Sequence, residues 1–156
     1  MRIGALRRER LWLAIALLGA GGVARSQEHA EATALDPQQR MMLEATYEAA
    51  LTAELCRSSL QNSCTGCFLG ITNTDFNVTK LFGSSSVYAA PGCTISVAAG
   101  RISFTFGLHG PCMSIDTACS SALVAVNIAA FCVSSRTCPA AFVAAVNLTL
   151  SPHLSV

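Results

Sequence analysis

Residues 107–123 read Gly-Leu-His-Gly-Pro-Cys-Met-Ser-Ile-Asp-Thr-Ala-Cys-Ser-Ser-Ala-Leu. Cys112 to Thr117 fits a short strand, and the apolar run from Ala118 to about Ser134 fits a helix. The helix spacing predicts one buried face of Leu123, Val126, Asn127, Ala130 and Phe131, with Val124 and Ile128 beside it. Cys119 therefore falls where a strand turns into a helix. A thiol at such a junction meets the positive end of a helix dipole and a set of unpaired backbone N–H groups. Both favour thiolate over thiol, and the same N–H groups can hold the oxyanion of an attacked thioester. That chemistry suits acyl transfer to sulfur. A buried, inert cysteine would fit so apolar a stretch equally well.

Working outward, Ala141 to Leu148 reads as a buried strand, and Ser96 to Phe106 as the end of a helix stopping at a Gly107 turn. Thr65 to Thr72 reads as another buried strand. Between them, Asn73 to Ser86 is polar and rich in Gly and Ser, so it reads as loop with some irregular helix. Asp36-Pro37-Gln38-Gln39 is a helix start: a good N-cap, proline at the first helical position, and glutamine where a capping box needs it. That helix is expected to reach about Leu55 and to bury Met42, Ala45, Thr46 and Ala49 with Leu43, Tyr47 and Ala50. Helices alternating with continuously apolar strands indicate an α/β domain with a largely buried sheet.

Composition narrows the setting. Of the 156 residues, 52% are hydrophobic and 12% charged, against about 25% charged in ordinary soluble domains. No apolar run reaches the ~20 residues of a membrane helix. The chain therefore reads as part of something larger that covers it, and a sticky product is expected when it stands alone. Five arginines and one glutamate lie in residues 1–26, which leaves five basic and eight acidic side chains in residues 27–156. The body has no basic patch for nucleic acid.

Residues 1–26 form a distinct leader. Arg2, Arg7, Arg8 and Arg10 precede an apolar stretch from Leu11 to Gly22 and then small residues, which is the layout of a signal or targeting segment. An amphipathic leader would look the same. The eight cysteines sit mostly in apolar runs and read as core rather than as disulfides, which points to the cytoplasm or an organelle. Cys64 and Cys67 form one C-x-x-C, with no second pair and no histidine pair, so no metal site is expected. Asn77 and Asn147 begin glycosylation sequons, the second inside the apolar strand, where a sugar would not fit.

Asp116 to Leu123 resembles the active-site signature of β-ketoacyl synthases of the polyketide and fatty-acid type. Five further stretches resemble that family in order. They are Asp36-Pro37-Gln38-Gln39-Arg40 with its following helix, Phe68 to Ile71 with Asp75-Phe76, Ala98 to Phe104, Leu108 to Pro111, and Val146-Asn147-Leu148 with Leu150-Ser151-Pro152. The resemblance runs from about Glu28 to Pro152. It implies a thiolase-like fold, a layered arrangement with a mixed sheet, with residues 27–156 forming a partial N-terminal half. It implies that Cys119 is the nucleophile with its own N–H as an oxyanion donor, that Thr117, Ala118 and Ser120 shape the elbow, and that Asp116 is structural. It also implies no directly bound cofactor, substrates carried as phosphopantetheine thioesters on an acyl carrier protein, a malonyl-type extender, and a homodimer whose interface lies near Met113–Ile115.

This chain departs from the pattern in three places. Condensation in the family uses two second-half histidines, one in an H-G-T-G-T-like context, and His29, His109 and His153 stand in no such motif. The family's opening strand is replaced by the leader, and Ala144-Ala145 stands where a glycine pair is common. The chain is thus expected to be a fragment covering part of the first half. Two other readings of an active chain compete, beside that of a non-functional gene fragment. One is a cysteine hydrolase or acyltransferase of another fold, with Cys119 activated by His109 or His153. The other is a secreted binding module held by disulfides.

Overall fold

Three parallel strands, in the order β2-β1-β3, carry the fold. They are β1 (Gly66–Ile71), β2 (Cys112–Ile115) and β3 (Ala141–Val146). The computed structural model describes residues 35–72, 75–76 and 89–150. The leader, the first sequon, His29, His153 and most of the loop read over 73–86 lie outside them. Among the described residues the sheet is wholly parallel rather than mixed, because each strand reaches the next through helices. Parallel neighbours require such crossovers. Among the described residues only β1 is fully buried; β2 and β3 form the edges there and stay partly exposed. The buried sheet read from the apolar runs is therefore one buried strand flanked by two open ones.

Helices cover both faces. On one side lie α1 (Pro37–Thr52), α2 (Arg57–Leu60) and, beyond α3 (Ala89–Cys93), α4 (Ile95–Phe106). On the other lies α5 (Ser121–Ser134). Side chains alternate across a strand, and β1 uses both directions. Cys67, Leu69 and Ile71 enter a core with Met42, Leu43, Ala50, Leu60, Ala98, Ala99, Ile102, Phe106 and Leu108. Phe68 turns the other way, to Ala125, Ala129, Cys132 and Cys138. Phe142 of β3 joins the first core, its ring 6.1 Å from that of Phe106.

The start of α1 follows the sequence in part. The Asp36 side chain accepts the Gln38 N–H at 2.8 Å, and Pro37 takes the first turn. The capping box does not close. The Asp36 N–H donates to Gly92 O, and the Gln39 amide instead donates to Thr94 O at 3.2 Å and accepts from Arg101 Nε at 2.9 Å. Tertiary partners outcompete the local one. The helix also ends at Thr52, and Ala45 and Ala49, expected inside, are exposed, while Gln38 and Gln39 are buried. At the end of α4, Gly107 takes the left-handed conformation (φ 69°), which a glycine adopts without steric penalty.

The face of α5 is the reverse of the one expected. Ser121, Ala125, Ala129 and Cys132 face the sheet, whereas Leu123 (73% exposed) and Phe131 (71% exposed) point outward with Val126. Small residues let the helix axis come close to β1. A helix apolar all round offers periodicity no preferred side. Asn147 is also exposed, just beyond the end of β3.

Candidate active site

Strand β2 ends at Ile115, and Asp116 and Thr117 lead into a single 3-10 turn, Ala118–Ser120, directly ahead of α5. Cys119 is in that turn and exposed. Because the sheet is parallel, the turn stands at its carboxyl end, where open α/β sheets place ligands. Ala118 has φ 52°, a left-handed conformation that costs an alanine about 1–2 kcal/mol.

Hydrogen bonds hold that conformation. The Asp116 carboxylate accepts the Ala118 N–H at 3.1 Å. The Ser120 hydroxyl donates to Thr117 O at 2.7 Å, with the Thr117 hydroxyl 3.0 Å away. The Ser121 hydroxyl accepts the Thr117 N–H at 2.8 Å and donates to Ala118 O at 2.7 Å. The backbone N–H groups of Ser120 and Ser121 go to Thr117 O and Ala118 O. Among the described residues, the Cys119 N–H has no acceptor.

Thr117, Ala118, Cys119 and Ser120 are thus brought together in one turn. Sequence reasoning missed Ser121, which is buried beneath them, and Gly70 on β1. A Cβ on Gly70 would stand 2.8 Å from the Ser121 carbonyl carbon and 2.9 Å from the Ala122 nitrogen. The signal for Ser121 was its place in the inward stripe with Ala125 and Ala129, which the larger apolar residues masked.

The other candidates separate. His109 is exposed, and its N–H donates to Ser63 O at 2.8 Å. It precedes β2 while Cys119 follows it, so the two stand at opposite ends of a strand rising about 3.3 Å per residue. A hydrolase relying on His109 loses its base. All eight cysteines are free, so the structure does not favour a module framed by disulfides. Cys64 is exposed ahead of β1, whereas Cys67 is buried in it. Burial, helped by nearby Cys112, pushes the Cys67 thiol up to about 12. Cys56, outside the site, moves the other way: hydrogen bonds from Ser58 and Ser59 lower its thiol to about 7.

Fold and elbow together define an α/β domain that presents a cysteine at the carboxyl end of a parallel sheet. The chain belongs to the β-ketoacyl synthase family, whose N-terminal domain matches residues 24–156. It is 43% identical over 124 residues to the spectinabilin polyketide synthase system protein NorA' of Streptomyces orinoci. It is equally identical over 124 residues to the compactin nonaketide synthase, polyketide synthase component, of Penicillium citrinum. Both matches take in 78% of this chain but only 3 and 4% of those proteins. Among solved structures, it resembles the ketosynthase from module 6 of the bacillaene synthase of Bacillus subtilis 168. The identity is 32% and the TM-score 0.71, over 80% of this chain and 21% of that one. An oxazolomycin ketosynthase domain from Streptomyces albus matches at 33% identity and TM-score 0.60, over 77% and 28%. The fold is therefore part of the thiolase-like fold of ketosynthases.

Proposed function

We propose that this chain carries the acyl-accepting part of a β-ketoacyl synthase of polyketide or fatty-acid biosynthesis, with Cys119 as the nucleophile. One observation carries the reading. Cys119 is exposed on the elbow, and its own N–H is open beside the sulfur.

The sulfur attacks the carbonyl carbon of an acyl chain held as a phosphopantetheine thioester on an acyl carrier protein. The carbonyl electron pair moves to oxygen, where the Cys119 N–H meets the developing charge. It returns as the bond to the pantetheine sulfur breaks, and that thiol leaves with the proton. In family members a malonyl-type thioester then loses carbon dioxide, and its carbanion displaces Cys119 to give a 3-oxoacyl thioester two carbons longer. The acid–base histidines for that second step belong to the family's other half, so the first step is the one assigned to these residues. No directly bound cofactor enters this scheme.

A homodimer of the complete synthase is part of the reading. Among the described residues the outer edge of β2, with Cys112 and Met113 exposed, has no strand beside it, and such an edge can accept another strand. Localisation in the cytoplasm or an organelle rests on the free cysteines, and a leader over residues 1–26 remains part of the proposal.

The test is to incubate the chain with a short acyl thioester of N-acetylcysteamine and map the adduct by peptide mass spectrometry. An acyl group on Cys119, absent from Cys119→Ala, is expected. Acylation of Cys56 with none on Cys119 would overturn the assignment.

A further inference from the structure

We infer that Ser121 is a positioning residue that, seated against Gly70, selects the Cys119 amide as the open donor of the elbow. The inference rests on the acyl-transfer reading of Cys119 above.

Five consecutive amides, from Thr117 to Ser121, could in principle face a bound carbonyl. Four are engaged. Asp116 takes that of Ala118, Thr117 O that of Ser120, and Ala118 O that of Ser121. The Thr117 amide, like that of Ala118, is taken by a side chain, here the Ser121 hydroxyl at 2.8 Å. The same hydroxyl spends its proton on Ala118 O at 2.7 Å. One side chain therefore fills the last competing donor and pins the residue at φ 52°. What remains is the N–H next to the reacting sulfur.

The seat beneath is equally specific. Ser121 is buried, and its backbone lies where any β-carbon on Gly70 would meet it, 2.8 Å away. The first turn of α5 is thus held against β1 by contact, and the hydroxyl carries that position up into the elbow. Ser121 touches no reacting atom in this arrangement. It acts through the turn.

The effect is separable from thiol access. Thioester acylation develops an oxyanion, whereas alkylation of sulfur by iodoacetamide develops none. A clamp that aims an amide must slow the first reaction and spare the second. A purely structural role would change both together.

The experiment compares both rates at Cys119 in the full chain and in Ser121→Ala and Ser121→Thr, by site-resolved mass spectrometry. Cys56, remote in sequence and exposed, serves as the internal alkylation reference. Ser121→Ala is expected to slow acylation by N-acetylcysteamine thioester about 10–100-fold, with alkylation near the wild-type rate and faster exchange of the Thr117 amide. Ser121→Thr, which keeps the hydroxyl, is expected to recover part of the loss. Equal acylation in wild type and Ser121→Ala overturns the role of Ser121 and leaves Cys119 standing. So does a parallel fall of both reactions, or a Ser121→Thr no faster than Ser121→Ala. A wild-type Cys119 that is alkylated yet never acylated overturns the acyl-transfer reading itself, and this inference with it.

Discussion

Gln38 and Leu148 are joined across the domain: the Gln38 Oε1 accepts the Leu148 N–H at 3.0 Å. A buried glutamine in the first turn of α1 thereby fixes the chain just after β3. Removing it leaves a main-chain donor without its acceptor, which costs about 1–3 kcal/mol. Gln38→Ala is expected to lower the denaturant midpoint accordingly and to speed hydrogen exchange at the Leu148 amide. Unchanged exchange there would refute the link.

Two glycines give opposite forecasts. Gly70→Ala forces backbone atoms of Ser121 and Ala122 to move, and overpacking of this kind costs about 1–3 kcal/mol. Gly100, inside α4, has nothing within 4 Å of its Cβ position. Gly100→Ala is expected to stabilise by about 0.5–1 kcal/mol through helix propensity. Thermal unfolding of the two variants against wild type decides both.

Asp36 predicts a pH effect. Its carboxyl lies above the ordinary value of 3.8, chiefly because burial disfavours its charge, with Asp75 adding to the effect and hydrogen bonds from Gln38 opposing it. A raised value means that the protonated form suits the fold. That contribution is fully present below 3.8 and is lost as pH rises through the folded value. Asp36→Asn caps as well as aspartate and stays neutral. The variant is expected to match or exceed wild type at neutral pH, and its relative advantage should vanish in acid. An advantage that grows in acid would contradict the burial argument.

Two thiols should titrate far apart. Alkylation of Cys56 is expected to rise through pH of about 7, and Ser58→Ala with Ser59→Ala should move that rise toward 9.0. Cys67, at about 12, should stay unmodified while the chain is folded. Its raised value contributes stability that is complete below 9.0 and is lost as pH approaches about 12. Iodoacetamide labelling against pH, with peptide mapping, reads both.

The outer face of α5 yields a fifth test. Leu123→Glu with Phe131→Lys changes side chains that touch little here. The unfolding free energy of this chain should change by less than about 0.5 kcal/mol, and its tendency to associate should fall.

Much of this was legible beforehand because it depends on local chemistry. Asp36 and Pro37 mark a helix start in any context, and Gly107 marks a helix end. The six-residue run of β1 is apolar because helices cover both its faces. What was not legible depended on partners far away in the chain. Gln39 abandons its capping box for Thr94 and Arg101. The inward side of α5 is chosen by how closely Gly70 lets it approach, a fact held fifty positions earlier in the sequence. The elbow showed its cysteine, but Ser121 read as one more small residue until its two hydrogen bonds were in view.

The position of β1 at the centre of the sheet also governs how such a chain must be made. Among the described residues it precedes both of its neighbours along the chain, β2 and then β3. Until they arrive, its row of backbone groups lacks the two strands it pairs with. Pairings so distant along the chain form slowly, and a strand waiting for them is open to wrong ones. A cell producing this sequence therefore has to shelter that strand until β3 has been made.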